Sequence, residues 1–499
     1  MRAQGKGRGF YVRAAAGTIA IAALAAACAA AVLALGLGER EPLDVHVGRI
    51  ANRASAAAAP EADPYAWDPS RRADFESRAA LGASHVIYEM SPGGVVASAA
   101  RTARFRDQIE AAAVRHGVDP DTLEAIVFLE SAGRPQVIAG PTPESAAGLA
   151  QILPSTATDL LGMQVDLPRS IALTRQIAST HNAVRAKHLI AERASIDQRF
   201  DPDAALEGAA RYLQIAADRF GADDLAVASY HMGIGNLESV LRAYTGDDRP
   251  PIGEVVSSHG LSYAQVYFDS SALAHRKAYE LLRSFGDESS EYPWKVEYSR
   301  EIMRLYRDDP DQLAQDAELA TNKASLEELF HPEPETDIYD DPDELAEAEQ
   351  SGELASLPSD PALGWIADKQ MGELAPQLDH QPELYRALRP EALATLSYLA
   401  GLVLYESNDP HPLIVTSTVR DRSYQELLIA SNPEATPEYS LHTTGWAFDI
   451  KRDYASGAQA TAFQHAIDRL SSLALIDYAV EPGAIHVTVS NLGADLLTP

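Results

Sequence analysis

Phe128-Leu129-Glu130-Ser131-Ala132-Gly133-Arg134-Pro135 is the stretch on which the reading of this 499-residue chain turns. It closes a segment that opens with Asp119-Pro120-Asp121, a helix start in which proline fits the first turn and acids favour the positive end of the helix dipole. Leu123, Ile126, Val127 and Phe128 recur at helical spacing, so Glu130 falls near the end of a mostly buried helix. Gly133-Arg134-Pro135 stops that helix, because glycine relaxes the cap and proline cannot continue the ladder. A glutamate at such an end is expected to hold its proton to higher pH, since desolvation disfavours the charged form. A general acid needs that state near neutral pH. From this segment alone, a solvated glutamate at a helix end is the commoner outcome.

Two later motifs reverse that balance. Gly148-Leu149-Ala150-Gln151 and Ser229-Tyr230-His231-Met232-Gly233 follow in order. Together the three resemble the Glu-Ser, Gly-Leu-Met-Gln and Ala-Tyr-Asn-Ala-Gly motifs of the soluble lytic transglycosylase family, over roughly residues 104–270. The resemblance implies a lysozyme-like helical domain that cleaves peptidoglycan glycan strands without water. In that chemistry one glutamate protonates the leaving oxygen and then, as base, helps the C6 hydroxyl close an anhydro ring. Ordinary glycosidases use two carboxylates, and no partner acid stands beside Glu130 in the motifs. The resemblance makes Glu130 the acid/base and Ser131 a neighbour that orients the carboxylate or the glycan. Gln151 would line the sugar groove, Tyr230 would hydrogen-bond near Glu130, and Tyr267 would match the family's late tyrosine. No cofactor is implied for this domain. Ala150 replaces the usual Met and His231 the usual Asn, which alters the pocket shape and a polar groove contact. The helical stretch from Met163 to Arg199 exceeds a compact member and reads as an inserted excursion over one face.

Near the C-terminus, Ser440-Leu441-His442-Thr443-Thr444-Gly445-Trp446-Ala447-Phe448-Asp449 matches Ser-x-His-x-x-Gly-x-Ala-x-Asp. It resembles the zinc motif of D-Ala-D-Ala carboxypeptidases and related endopeptidases that share a core with hedgehog-type domains, over roughly residues 375–490. Gly445 allows a turn between two arms, so that imidazole and carboxylate reach one metal. Ile476–Val480 and Ile485–Val489 read as a hairpin around Glu481-Pro482-Gly483-Ala484. His486 is then the natural third ligand, and Glu481 the natural base for a zinc-bound water. Many relatives place the base three residues before the last histidine, whereas Glu481 lies five before it. Leu413–Arg420 reads as a buried strand delivering an arginine. The resemblance, in which an arginine after a comparable strand binds substrate near the metal, makes Arg420 the candidate for a peptide carboxylate or carbonyl. A surface arginine paired with Asp421 or Glu426 is nearly as good a reading. Ser440 would contact the peptide.

The N-terminus carries Arg2, Lys6, Arg8 and Arg13 before an uncharged apolar run. This gives a cytoplasmic N-terminus at 1–13 and a single-pass signal anchor at 14–38, with the bulk of the chain on the periplasmic or cell-wall side. Cleaved or lipidated export is the second choice. Cys28, the only cysteine, excludes disulfides and a cysteine-ligated zinc finger. A net charge of −31 argues against nucleic acid as partner. The organisation expected is a spacer at 39–103, flexible and Ala-rich at Arg53–Asp63, and a transglycosylase-like helical domain at 104–308. An acidic, solvated linker at 309–360, with short helices around Leu326 and Leu345, and an α+β zinc D,D-peptidase-like domain at 361–499 follow. The expected partners are glycan strands, stem peptides and the membrane, with Zn2+ as cofactor of the C-terminal domain alone. Two rivals stand beside this reading: a non-catalytic wall-binding scaffold, and a glycan hydrolase resembling goose-type lysozyme.

Overall fold

Aspartate followed by proline opens one helix after another. Asp119 caps α3 (Pro120–Ser131) by accepting from the Thr122 amide, and Asp201 caps α4 (Pro202–Phe220) by accepting from that of Ala204. Each side chain satisfies an amide the helix leaves bare, and each proline sits where no amide is needed. The computed structural model describes residues 43–59, 61–322, 330–431 and 439–497. The apolar run at 14–38, read as an anchor, lies outside the described residues; none of the described helices is long and apolar enough to cross a membrane.

The molecule is mostly helical, with a sheet region towards the C-terminus. α3 packs along α6 (Tyr292–Asp308), while α4 packs on α5 (Asp223–Met232). α3 ends with Ala132 in the left-handed region at φ 52°, one residue before the glycine expected to stop it. The excursion from Met163 to Arg199 forms two helices, Leu167–Ser179 and Ala183–Ile196, packed on each other. The later helices run Arg276–Phe285 and Tyr292–Asp308, the second with Pro293 in its first turn, where proline is tolerated.

In the C-terminal region α7 (Pro390–Ser407) is buried on every side from Ala392 to Val403, the pattern of a central helix. It packs against α8 (Gly457–Ser472). A short pairing joins β1 (Ala355–Ser356) to β3 (Ala387–Leu388). The main sheet has the order β2-β4-β5-β7-β6. β2 (Trp365–Ala367) and β4 (Leu413–Ser417) are parallel; β5 (Ala447–Lys451), β7 (Ala484–Val489) and β6 (Ile476–Val480) continue antiparallel. The expected hairpin is present, with its second strand one residue longer. β4 stops at Ser417, so Arg420 lies in the following loop rather than on the strand.

Two expected connectors are folded. The stretch taken as a spacer holds α1 (Leu43–Ala57), α2 (Arg72–Gly82), Ser84–Met90 and Val95–Thr102. Alanine is the best helix former, and its small side chain lets α1 approach α7 closely: a Cβ on Gly401 would stand 2.7 Å from the Ser55 carbonyl oxygen. Asp63, beyond α1, accepts from Arg469 and from Tyr398, both at 2.7 Å. The acidic stretch expected as a solvated linker contains helices Pro310–Asn322 and Pro342–Ser351. Leu313 and Leu345 are fully buried, so a single apolar stripe in acidic surroundings suffices to dock each helix. Tyr339 then joins the C-terminal region, its amide donating to Thr443 O at 2.9 Å.

Candidate functional site

Glu130 lies half-buried in the last turn of α3 and accepts a hydrogen bond at Oε1 from the Tyr292 hydroxyl, 2.7 Å away. Tyr292 opens α6 and is 2 % exposed. Its ring lies nearly parallel to that of Tyr230, centroids 6.2 Å apart, and stacks on His231 at 5.3 Å. Burial, and then the charge of Glu130, push the Tyr292 hydroxyl well above the ordinary tyrosine range, so it remains a neutral donor. A cavity of about 220 Å3 opens at the carboxylate, and Glu130, Arg134, His231, Tyr292 and Lys295 are its titratable lining. Glu130 is the only carboxylate among them. His231 keeps its Nδ1 on the Ser289 hydroxyl at 2.9 Å.

The other residues expected here are placed differently. Ser131 is 1 % exposed and its hydroxyl donates to Val127 O at 3.0 Å, so the helix consumes the group expected to orient the carboxylate. Tyr230 donates to Ala150 O at 2.8 Å, which ties α5 to the Gly148–Gln151 loop. Gln151 spends its amide on that loop, donating to Gly148 O at 2.8 Å and Val137 O at 3.3 Å. Tyr267 is not at Glu130: its hydroxyl meets Ser472 Oγ of α8 at 2.9 Å, in a separate cavity. α6 supplies the tyrosine instead.

The loop itself is held by Arg199 at the end of the excursion. Arg199 and Asp197 are both fully buried and pair through two contacts, Nε–Oδ1 at 2.9 Å and Nη2–Oδ2 at 2.8 Å. The remaining guanidinium protons reach the carbonyls of Pro143, Ser145 and Ile152. A buried pair is tolerable only when its donors and lone pairs are satisfied in this way. Gly148 is obligatory: its φ is +83°, and a Cβ would stand 1.7 Å from Arg199 O.

The second cluster is built by strand register. Asp449 on β5 faces His486 on β7 directly. Asp449 Oδ1 lies 2.8 Å from His486 Nδ1 and 3.2 Å from His442 Nε2. One donor atom from each of the three residues lies within 4.8 Å of the others. His442 comes from the turn Leu441–Thr444, which Gly445 ends at φ 77°. Its Nδ1 is 2.8 Å from Thr418 O, which fixes that nitrogen as donor and leaves Nε2 free to ligate. Burial first, and then the Arg420 charge, pull the His442 imidazole down to about 4. Burial works to raise Asp449, but the facing histidines outweigh it and hold the carboxyl well below its usual range. Neutral imidazole beside ionised carboxylate is the donor state a metal requires. The residues therefore fit a zinc ion. Arg420 Nη2 is 3.7 Å from Asp449 and 2.6 Å from Ser417 Oγ, while Nη1 donates to Gln425 at 3.0 Å. Neither Asp421 nor Glu426 is the partner of Arg420; Asp421 accepts from Tyr385. Ser440 is 8 % exposed and precedes the turn. Glu481 is exposed at the hairpin turn, is not one of the three clustered donors, and acts on Arg420 electrostatically.

Residues 107–173 and 174–249 match the Transglycosylase SLT domain family. The match spans all three motifs and supports a lytic transglycosylase-type activity on peptidoglycan. It breaks within the excursion, between the residues of helix Leu167–Ser179. It does not extend to the His442 cluster. A comparison with curated proteins finds no match. Tyr292 and Lys295 lie beyond the matched residues yet line the Glu130 cavity. The Tyr292-Pro293 pair could have marked a helix start, but only the packing of α6 along α3 brings Tyr292 to Glu130. Arg199 had no local signal.

Proposed function

We propose that the chain cleaves peptidoglycan glycan strands at Glu130 and leaves anhydro-muramyl ends. The observation that carries this is a single carboxylate in its cavity, bonded to a neutral tyrosine. Protonated Glu130 gives its proton to the glycosidic oxygen as the C1–O bond breaks. The resulting carboxylate accepts the C6 hydroxyl proton while that oxygen closes on C1. The proton is thereby returned and no water is consumed. Tyr292 positions the carboxylate throughout, and Arg199 holds the loop to which Tyr230 is bonded. Glu130→Gln keeps the shape and removes the proton; product mass spectrometry should then find no glycan fragments, against anhydro-muramyl ends from the unaltered protein. Reducing ends instead would identify a hydrolase resembling goose-type lysozyme, and no products from either protein would identify a scaffold.

The geometry of the three-donor cluster favours a second activity on the same polymer. His442, Asp449 and His486 would hold zinc, which when bound supplies a Lewis acid for peptide hydrolysis. Arg420, within reach of the cluster, suits the carboxylate of a stem peptide. Glu481 is the candidate base, although it must reach in from an exposed turn. We further propose an anchor at 14–38 that leaves the folded part outside the cytoplasm. Protease added to intact cells should digest the chain beyond the anchor as completely as it does after lysis; digestion only after lysis would refute the orientation.

A further inference from the structure

Lys295 is 6 % exposed and lines the Glu130 cavity together with Arg134. Among the described residues, neither forms an ion pair; Arg134 donates through Nε to the Ser131 carbonyl at 2.9 Å. Arg101 adds to the positive character of this wall. It donates to the carbonyls of Pro92 and Ala132, both cavity residues, at 2.6 and 2.9 Å. Burial, and then the neighbouring Arg134 and Arg104 charges, hold Arg101 below the ordinary arginine value. A chain of net charge −31 thus surrounds its one cavity carboxylate with unpaired cations. Lys295 is buried, and a buried cation without a partner is costly; with the exposed Arg134 at the same cavity, the arrangement calls for an anion brought by the substrate.

We propose that Lys295 and Arg134 form a subsite for the free lactyl carboxylate of muramic acid, so that the site prefers glycan strands already stripped of stem peptides. The inference rests on the reading of Glu130 as the glycan-cleaving residue. The lactyl group is attached directly to the sugar whose C1 is attacked, so its carboxylate arrives beside Glu130. On a stem-bearing strand that carboxyl is a neutral amide, and the peptide behind it must leave a cavity of only about 220 Å3. Charge and size therefore discriminate in the same direction. The reaction that must act first is hydrolysis of the lactyl–peptide amide bond.

Three soluble strand preparations separate charge from size: stem-bearing strands, strands stripped by an amidase, and stripped strands whose lactyl carboxyl has been converted to the methylamide. Binding is measured with the full-length Glu130→Gln protein and cleavage with the unaltered one. A hydrogen-bonded charge contact predicts about tenfold preference for the free acid over the methylamide, about 1.4 kcal/mol. Lys295→Gln and Arg134→Gln should each draw that ratio towards one, Lys295→Arg should restore it, and raised salt should weaken it. Arg134 is exposed, so its variant tests the idea even if Lys295→Gln folds poorly. Equal binding of acid and methylamide, or tighter binding of stem-bearing strands, overturns the inference whatever the cleavage result. Discrimination in binding with no cleavage by the unaltered protein would retain the inference and remove the proposed activity.

Discussion

Removing one oxygen atom from Tyr292 separates positioning of Glu130 from everything else the ring does. In Tyr292→Phe the ring remains in its stack with Tyr230 and His231, and α6 keeps its first turn. The loss is the 2.7 Å donation to Glu130 Oε1. Hydrogen bonds to charged groups contribute about 1.5–3 kcal/mol, which is about 10- to 150-fold in rate if the bond aligns the carboxylate in the transition state. Steady-state digestion of soluble glycan strands, with products resolved by mass, should therefore show kcat reduced by that factor and KM nearly unchanged. Folding stability should fall less than the full bond, by about 1 kcal/mol, because the cavity lets water reach the exposed side of the carboxylate. A urea titration measures that share directly. Unaltered kcat in a protein of normal stability would refute the positioning role. A rise in KM alone would instead place Tyr292 in strand binding.

Gly148→Ala should destabilise the protein by about 3 kcal/mol or more, since the added Cβ meets Arg199 O at 1.7 Å and φ is +83°; a thermal midpoint near that of the unaltered protein would contradict the loop geometry. Burial and its setting pull His331 down to about 4 from 6.5. Between those values the unfolded chain binds the proton more readily, so acidification through the window should cost up to about 3 kcal/mol. Urea midpoints at pH 7 and pH 5 should show the drop in the unaltered protein and a smaller one in His331→Gln; parallel drops would refute it. His442→Ala or His486→Ala should abolish stoichiometric zinc uptake by equilibrium dialysis, because two remaining donors cannot close a tetrahedral site. Glu481→Gln should retain zinc and stop peptide cleavage, and full peptidase activity in that variant would remove Glu481 as the base.

What was legible in the sequence was local. The Asp119-Pro120 start needs only neighbouring residues to be read, and the structure closes that cap through Thr122. The alternation in Ile476–Val480 and Ile485–Val489 placed the hairpin, and register then brought Asp449 opposite His486. Gly445 was readable for the same reason, as a turn confined to a few residues. Composition misled at 39–103, and at 309–360 as to solvation, because it averages over faces; the helix expected around Leu345 is present, while Leu326 lies outside the described residues. Leu345 and Ala348, three apart in an acidic helix, are enough to dock it.

Contacts made by sequence-distant residues left no such mark. Tyr267 and Tyr292 are equally plausible partners for Glu130 on spacing alone. Only the packing of α6 along α3 selects Tyr292, while Tyr267 is drawn to Ser472 across 205 residues of chain. Arg199 follows the same logic. Its neighbours Asp197 and Phe200 give no hint of a clamp, because the carbonyls it gathers lie 47–56 residues earlier. The excursion thereby acquires a role that its length alone did not suggest. It ends in a buried, fully bonded cation behind the Gly148–Gln151 loop, and that loop's Ala150 carbonyl receives Tyr230. Tyr230 in turn stacks beside the tyrosine that holds Glu130. If that chain of contacts positions the carboxylate, Arg199→Lys, which keeps the charge but loses the planar fork, should impair glycan cleavage as well as stability. Impaired stability with full cleavage per folded molecule would confine Arg199 to the scaffold.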